Sequence, residues 1–522
     1  MSTASKGKAN PQGRARRYMD AELTRQRHRN TVPIVLTLLS AMVYLGWLMQ
    51  VIDWNHPWVC TLFMISELIC LGSVLLWALM LYSKRLHPPE GLPGKGKPLA
   101  VDILLTVCGE PLPILRRTFL AASKIDYPNY QVTVCDDGND PEVKRLAARF
   151  RFHYTARKTR EFAKSGNLNH GLKITSAPLV MTLDADQVAK PEILDRLTGF
   201  FRVPKIAYVT SRQDFVVPPG DPWGNKDLVF YEAMQTGKND SNSAISTGSA
   251  VVYRRKALES IGGFATWSMV EDLYTSMCLE QKGWHSVYYP FPLSRGTAPL
   301  NVFEQYHQRW QWAVDSMRIF FWRNPLFAKG LSLRQRLNYF HFGYHYLMYG
   351  IAYPIFFFLP IWSLFTGNFF LAAPVWMFFC YRVPYLIFMK WMTRSLTHGR
   401  LNLKAFQMQA GLWPVYFISI FAALFFPRVR PKYRVTEKGE QEPDFLHRFM
   451  ALLPNLAIIG SCAAAIVYGL QRWQAEPSFL WVNIFWCLWA INAVVRLTWV
   501  GMFPDQAVGK KEQRMAWASG RG

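Results

Sequence analysis

Between His341 and Tyr381 the chain contains no aspartate, glutamate, lysine or arginine. About 20 apolar residues already cross the ~30 Å hydrocarbon core of a bilayer, so this charge-free run reads as two spans, joined near Thr366-Gly367-Asn368. Metal-type cysteine spacing is also missing. The 8 cysteines are scattered, and Cys60, Cys70, Cys380, Cys462 and Cys487 fall in apolar runs, which suits reduced thiols used as small apolar side chains. No small-residue cleavage site follows the first apolar run, which begins near Thr31, so no removable signal peptide is expected. Acidic residues are outnumbered, 35 against 59 Lys and Arg, for a net charge of +24. That surplus would suit a nucleic-acid binder, but its placement argues against one. Lys6, Lys8, Arg14, Arg16, Arg17, Arg25, Arg27 and Arg29 crowd the start of the chain, and other basic residues flank apolar stretches. Cytoplasmic membrane-flanking charge belongs in those places, so no nucleic-acid partner is expected.

What is present is apolar and divided. Of the 522 residues, 51% are apolar, enough for a membrane part beside one soluble domain of ordinary size. Residues 1–30 read as a basic cytoplasmic tail, and 31–83 as a transmembrane hairpin with arms 31–52 and 58–83. The second arm carries Glu67, which is costly at membrane depth and should face protein or water. Residues 97–330 have the composition of a soluble domain, 331–427 of spans and interfacial helices. A cytoplasmic loop at 428–446, a second hairpin within 447–500 and a cytoplasmic tail at 501–522 complete the layout. Residues 405–427 are apolar enough to cross, yet Lys390, Arg394, Arg400 and Lys404 precede them and Arg428, Arg430, Lys432 and Arg434 follow. Basic flanks on both sides point to the cytoplasm twice, so the segment reads as an interfacial or re-entrant helix, an ordinary seventh span being the alternative. About six spans then leave both termini inside.

In the soluble part, short β-rich runs at 102–107, 131–135, 179–183 and 206–210 alternate with helical patterns at 114–123, 141–150 and 192–201. Such alternation predicts a mostly parallel sheet with helices on its faces and ligands beyond the carboxyl ends of the strands. Acidic motifs occur there. Asp136-Asp137-Gly138 follows one strand and could grip a base or ribose, or simply end the strand in a polar turn. Lys164-Ser165-Gly166-Asn167-Leu168-Asn169 offers a small-residue turn and a cation for phosphate. Asp184-Ala185-Asp186 ends another strand, where side chains two apart share a face and paired hard oxygens suit Mg²⁺ or Mn²⁺. Glu271-Asp272 precedes a helical stretch, which an acid could also merely cap. Gln308-Arg309-Trp310-Gln311-Trp312 comes last.

In order and spacing these motifs, DDG, KSGN, DAD, VED and QRWQW, resemble those of processive family 2 glycosyltransferases, the cellulose-synthase-like group. Tyr433-Arg434-Val435-Thr436-Glu437-Lys438 is similar to the FxVTxK gating loop of that group, and the resemblance runs from about Asp102 to Lys438. It implies an α/β GT-A-type cytoplasmic glycosyltransferase domain inserted in an α-helical transmembrane domain. It also implies a UDP-sugar donor, held by Asp136, Asp137, Lys164, Asp184, Thr106, Glu110, Gln308 and Arg309. Asp186, with Asp184, would bind Mg²⁺ or Mn²⁺ on the diphosphate. Asp272 would be the general base, with Glu271 the next candidate, and Trp312 the platform for the acceptor sugar. Tyr433, Val435, Thr436 and Lys438 would form the gate over the nucleotide.

Two positions depart from the group's pattern. Gln311 stands where an Arg usually reaches the diphosphate, leaving Arg309 to compensate or the register to slip onto Trp310; the spacing from Gln308 favours Trp312. Val270 replaces a Thr beside the paired acids. The RxxxR spacing of Arg430 and Arg434 lacks its companion DxSxxG, so no cyclic-di-GMP-binding PilZ domain is expected. The implied function is an inner-membrane synthase that polymerises a UDP-sugar, UDP-glucose first, into a β-glucan of cellulose, curdlan or mixed-linkage type and extrudes it. Its partners would be the donor, the growing polysaccharide, membrane lipid and a periplasmic export protein. A chitin- or hyaluronan-like polymer synthase and a single-sugar lipid transferase are the alternatives. A transporter without catalysis would explain the spans and Glu67 but not the acidic motifs.

Overall fold

The structure, a computed structural model, describes residues 11–82, 97–217, 221–299, 301–427 and 444–504, with side chains from Asn30 onward. Eight strands form one sheet: β1 Val101–Val107, β2 Tyr130–Asp136, β3 His153–Ala156, β4 Leu179–Asp184, β5 Val188–Ala189, β6 Ile206–Val216, β7 Val251–Arg254 and β8 His285–Thr297. Their order is β3-β2-β1-β4-β7-β6-β8-β5. The run β3-β2-β1-β4 is parallel, β7 is antiparallel to both its neighbours, β6 and β8 are parallel, and β5 is antiparallel to β8. β1, β2, β4 and the first half of β6 are the strands expected from sequence. β7 is only four residues long, and β8 carries Pro290 and Pro292 with register shifts opposite Ser211 and Arg212, so neither presents a clean strand pattern.

All seven residues of β1 are buried, because helices cover both faces of the parallel part. Asp102 lies among them. Its carboxylate accepts from Arg255 Nη2 (2.9 Å), the Gln131 amide (2.7 Å) and the Ala177 N–H (2.7 Å), so the buried charge is paired and satisfied. The helix Pro141–Arg149 begins where the Asp140 carboxylate caps the Glu142 N–H at 2.8 Å and Pro141 fills a position with no N–H to satisfy. One element differs in kind from the sequence reading. The KSGN motif, expected as a turn, occupies the first turn of the helix Ala163–Ile174. The left-handed residues Phe162 (φ 60°) and Ala163 (φ 45°) set its entry.

Among the described residues, five helices are long and apolar enough to cross a membrane: Asn30–Val51, Pro57–Leu81, Leu333–Thr366, Phe445–Arg472 and Pro477–Met502. The charge-free run breaks into two helices at Gly367, within the joint expected at Thr366-Gly367-Asn368. Leu333–Thr366 takes most of it, Gly367 caps that helix at φ 75°, and the next helix, Val375–Leu396, runs on into Arg382, Lys390 and Arg394. The segment read as interfacial or re-entrant is two helices, Leu403–Gly411 and Trp413–Phe425, bent by 50° at a break, with Pro414 opening the second. Taken together they make the pair that could raise the count to 6.

Glu67, in the middle of Pro57–Leu81, is 3% exposed and pairs with Arg382 of Val375–Leu396. Arg382 also stacks over the rings of Tyr44 (4.8 Å) and Tyr385 (5.5 Å), so three helices converge on one guanidinium. The charge placed in the span by the sequence therefore faces protein. Removing one partner leaves the other buried and uncompensated, a cost of roughly 3–5 kcal/mol. Arg382→Met is expected to lower the thermal stability of the detergent-solubilised protein by about that much, and Glu67→Gln in the same chain to recover much of it. An unchanged melting temperature in the single variant would show that the pair is solvated.

Candidate active site

The register of the sheet gathers the site. Thr106 in β1 lies opposite Asp184 in β4, and Val107 opposite Asp136 in β2, so the acidic motifs end on one edge, at the carboxyl ends of parallel strands. Three polar groups fix the DAD turn. The Ser249 hydroxyl accepts the Asp184 N–H (2.8 Å), the Thr106 hydroxyl donates to Asp184 Oδ1 (3.3 Å), and the Thr118 hydroxyl donates to the Ala185 carbonyl (2.7 Å). Asp184 and Asp186 remain partly exposed on either side of the buried Ala185.

Lys164 is the centre of charge. Its ammonium lies 2.6 Å from Asp184 Oδ1 and 3.4 Å from Glu271 Oε1, and donates to the Gly248 carbonyl at 3.0 Å. Burial works against that cation, but Asp184, Glu271 and Asp272 outweigh it and hold the ammonium above its ordinary pKa. Asp272 opens the helix Glu271–Gln281 and accepts the Leu273 N–H at 2.7 Å. Burial first, and then the Glu271 charge, push its carboxyl up to about 7, with Lys164 opposing. Burial likewise raises Glu271. Gly248 (φ 74°) threads between these groups: a Cβ there would stand 3.1 Å from Asp272 Oδ2 and 3.2 Å from Lys164 Nζ.

Other expected residues serve their own loops. Both Asp136 oxygens are engaged, Oδ1 by the Gly138 N–H (2.7 Å) and Oδ2 by the Asp140 N–H (2.9 Å) and the Tyr154 hydroxyl (2.9 Å). Asp137 receives Arg157 bidentately at 2.6 and 2.7 Å. A Cβ at Gly166 would strike Arg157 and the Glu161 carbonyl, so the space that this glycine leaves is filled by the chain itself. Glu110 accepts the Cys108 N–H at 2.7 Å.

In the helix Val302–Trp322, Arg309 Nη2 donates to both Asp227 oxygens at 3.1 Å, and its guanidinium lies 5.0 Å from the Trp312 ring. Gln311 is nearly buried, its amide nitrogen 3.1 Å from His307 Nε2. Trp312 is 38% exposed, whereas Trp310 packs against the membrane-helix core. Gln308 sits half-buried on the same helix. Tyr433, Val435, Thr436 and Lys438 lie outside the described residues. Sequence reasoning missed Thr118, Gly248, Ser249, Arg157 and Asp227; the small polar run Ser246-Thr247-Gly248-Ser249-Ala250 was the one available signal.

Among the described residues, no three His, Cys, Asp or Glu side chains converge to hold an ion. Asp184 and Asp186 put two carboxylates on one turn. That set fits Mg²⁺ or Mn²⁺, which are commonly held by one or two carboxylates and completed by substrate phosphates and water.

Comparison with known proteins agrees with this architecture. The Glycosyl transferase family 2 profile matches residues 102–262, and the Cellulose synthase profile matches 259–397. Across residues 102–397 the chain is therefore similar to family 2 glycosyltransferases of the cellulose-synthase-like group. Cellulose synthase 1 of Komagataeibacter xylinus is 28% identical over 502 residues, 91% of this chain and 32% of that protein. A cellulose synthase 1 catalytic subunit (UDP-forming) from the same organism is 29% identical, covering 91% of this chain and 66% of its own. The catalytic subunit of Pseudomonas fluorescens is 26% identical, over 92% and 68%. This chain thus spans about a third of the longer relatives and about two thirds of the shorter ones. Among solved structures, a mannosyltransferase of Pyrobaculum calidifontis in complex with GDP-Man and Mn²⁺ is similar over 70% of this chain and 99% of its own, with a TM-score of 0.49 and 17% identity.

Gly248→Ala should impose a left-handed conformation on a Cβ-bearing residue, about 1–2 kcal/mol, and crowd Asp272 against Lys164. Reduced glycosyl transfer, measured as UDP release from a folded variant, is the expected outcome. Full activity would show that the loop yields freely.

Proposed function

We propose that this protein polymerises UDP-glucose into a β-glucan and passes the chain across the inner membrane, with the sheet and its active site in the cytoplasm. The observation that carries the reading is the half-buried cluster of Lys164, Asp184, Glu271 and Asp272. An inverting displacement at the anomeric carbon needs one base on the acceptor hydroxyl and positive charge on the leaving diphosphate. Asp272 supplies the base: its oxygen takes the acceptor proton as the new glycosidic bond forms and the bond to the diphosphate breaks. Lys164 supplies fixed charge on the donor side. Asp186, with Asp184, would hold a Mg²⁺ or Mn²⁺ ion, which when bound adds charge against the diphosphate. The apolar helices provide the route for the product, and the relatives named UDP-forming support the choice of donor. Thr106 acts by steadying Asp184, and Asp136 and Asp137 shape the nucleotide side of the loop through Tyr154 and Arg157.

Purified protein incubated with separate radiolabelled UDP-sugars, its product then digested by linkage-specific glucanases, tests the whole reading. Polymer from UDP-glucose that β-glucanases degrade is expected; incorporation only from another UDP-sugar would replace the substrate.

Two variants separate the roles. Asp186→Ala is expected to weaken UDP affinity in calorimetry with Mg²⁺, because its carboxylate would hold the ion that adds charge against the diphosphate. Asp272→Asn should bind UDP nearly normally while turnover falls by roughly 10²–10⁴-fold.

The pH profile follows from the raised carboxyl. A base must be unprotonated, so the rate should climb as pH rises through about 7, where an unshifted aspartate would already be fully active above ~5. A flat profile from pH ~5 to ~8 would move the base elsewhere.

A further inference from the structure

We infer that Asp227 and Arg309 form a positioning pair for Trp312, holding its ring as the platform on which the sugar chain stacks; the inference rests on the functional reading above. Arg309 and Trp312 are three residues apart on one helix and so lie on the same face. The guanidinium sits 5.0 Å from the indole, within range of a cation–π contact. Asp227 fixes the other side of that guanidinium, both of its oxygens accepting from Nη2 at 3.1 Å.

Asp227 is itself held in place. It adopts φ 43°, and its carbonyl accepts the Tyr231 N–H at 3.1 Å. Just upstream, Asp221 caps the Asn225 N–H at 2.9 Å, the Asn225 amide donates to the Pro299 carbonyl at 2.9 Å, and Trp223 is 2% exposed. The segment 221–231 therefore reaches across to the helix that carries Trp312. Burial raises the Asp227 carboxyl and Arg309 opposes this; the Asp227 side chain keeps 23% of its surface and Arg309 11%. The pair also accounts for the departure at Gln311. The charge of Arg309 is bound to Asp227, and Gln311 is neutral and turned to His307, so this helix orients the acceptor side and leaves the diphosphate to other groups.

The test uses the full chain in nanodiscs with UDP-glucose and Mg²⁺, reading polymer yield, product length and UDP affinity. Asp227→Asn is expected to cut polymer by roughly tenfold and shorten it while leaving UDP affinity unchanged, and Asp227→Glu to restore much of the yield. In a Trp312→Phe background the loss from Asp227→Asn should shrink, because residues acting as a unit are not additive. Equal losses in both backgrounds would reduce Asp227 to general support of the fold and overturn the inference. So would UDP affinity falling in step with yield, which would place Arg309 on the diphosphate. A wild-type protein that makes no polymer from any UDP-sugar would overturn the functional reading and the inference with it; normal polymer from both Asp227 variants would overturn the inference alone.

Discussion

The active site depends on one ammonium. Lys164 stands between carboxylates from two distant parts of the chain, Asp184 at the end of β4 and Glu271 at the start of a helix almost ninety residues later. Buried carboxylates crowded without a cation would take up protons and push apart. With Lys164 among them, the strand end, the helix start and the loop through Gly248 can meet in one small space. The same arrangement places two acids under different conditions. Asp184 is in direct contact with the cation, whereas Asp272, shielded and beside Glu271, is held near neutrality. Transfer chemistry needs a carboxylate able to accept a proton near neutral pH.

The membrane-side helices repeat the device with the signs exchanged. There an acid, Glu67, meets a guanidinium, Arg382, and two tyrosine rings enclose the pair. Such a pair adds little net stability over well-packed apolar side chains, but it penalises every arrangement in which the helices fail to meet. In a bundle that is mostly apolar, where ridges of Leu and Phe could pack in several registers, that penalty selects one.

Much of this was legible in the sequence, in proportion to how local each signal is. The strands β1, β2 and β4 are rich in apolar and β-branched residues, and the acidic ends of β2 and β4 mark the carboxyl edge of the sheet. Glu67 announced its need for a partner by its place in a span. What could not be read was where side chains turn after the chain has folded. Asp136 is spent on Gly138, Asp140 and Tyr154, and Thr106 works through Asp184, because these bonds join residues up to 78 positions apart. The KSGN run has too many small residues to look helical, yet its helix forms since tertiary packing outweighs propensity. The joint of the charge-free run is a local signal too. Composition marks where a chain is apolar, and Gly367 and Pro374 set where its helices stop and start.

The two tryptophans of QRWQW show how far geometry goes where motif spacing leaves a choice. On a helix, residues two apart do not face the same way, so Trp310 and Trp312 cannot both point at one ligand. Trp310 belongs with Phe303 and Tyr306, packed against the membrane-helix core, and is the anchoring member. Trp312 is the more exposed, and the one that Arg309 covers. An exposed indole beneath a tethered guanidinium keeps one face for the protein and leaves the other for a partner, and the flat apolar face of a sugar ring is a suitable one. The helix thus separates a packed indole from an exposed one by a single two-residue step.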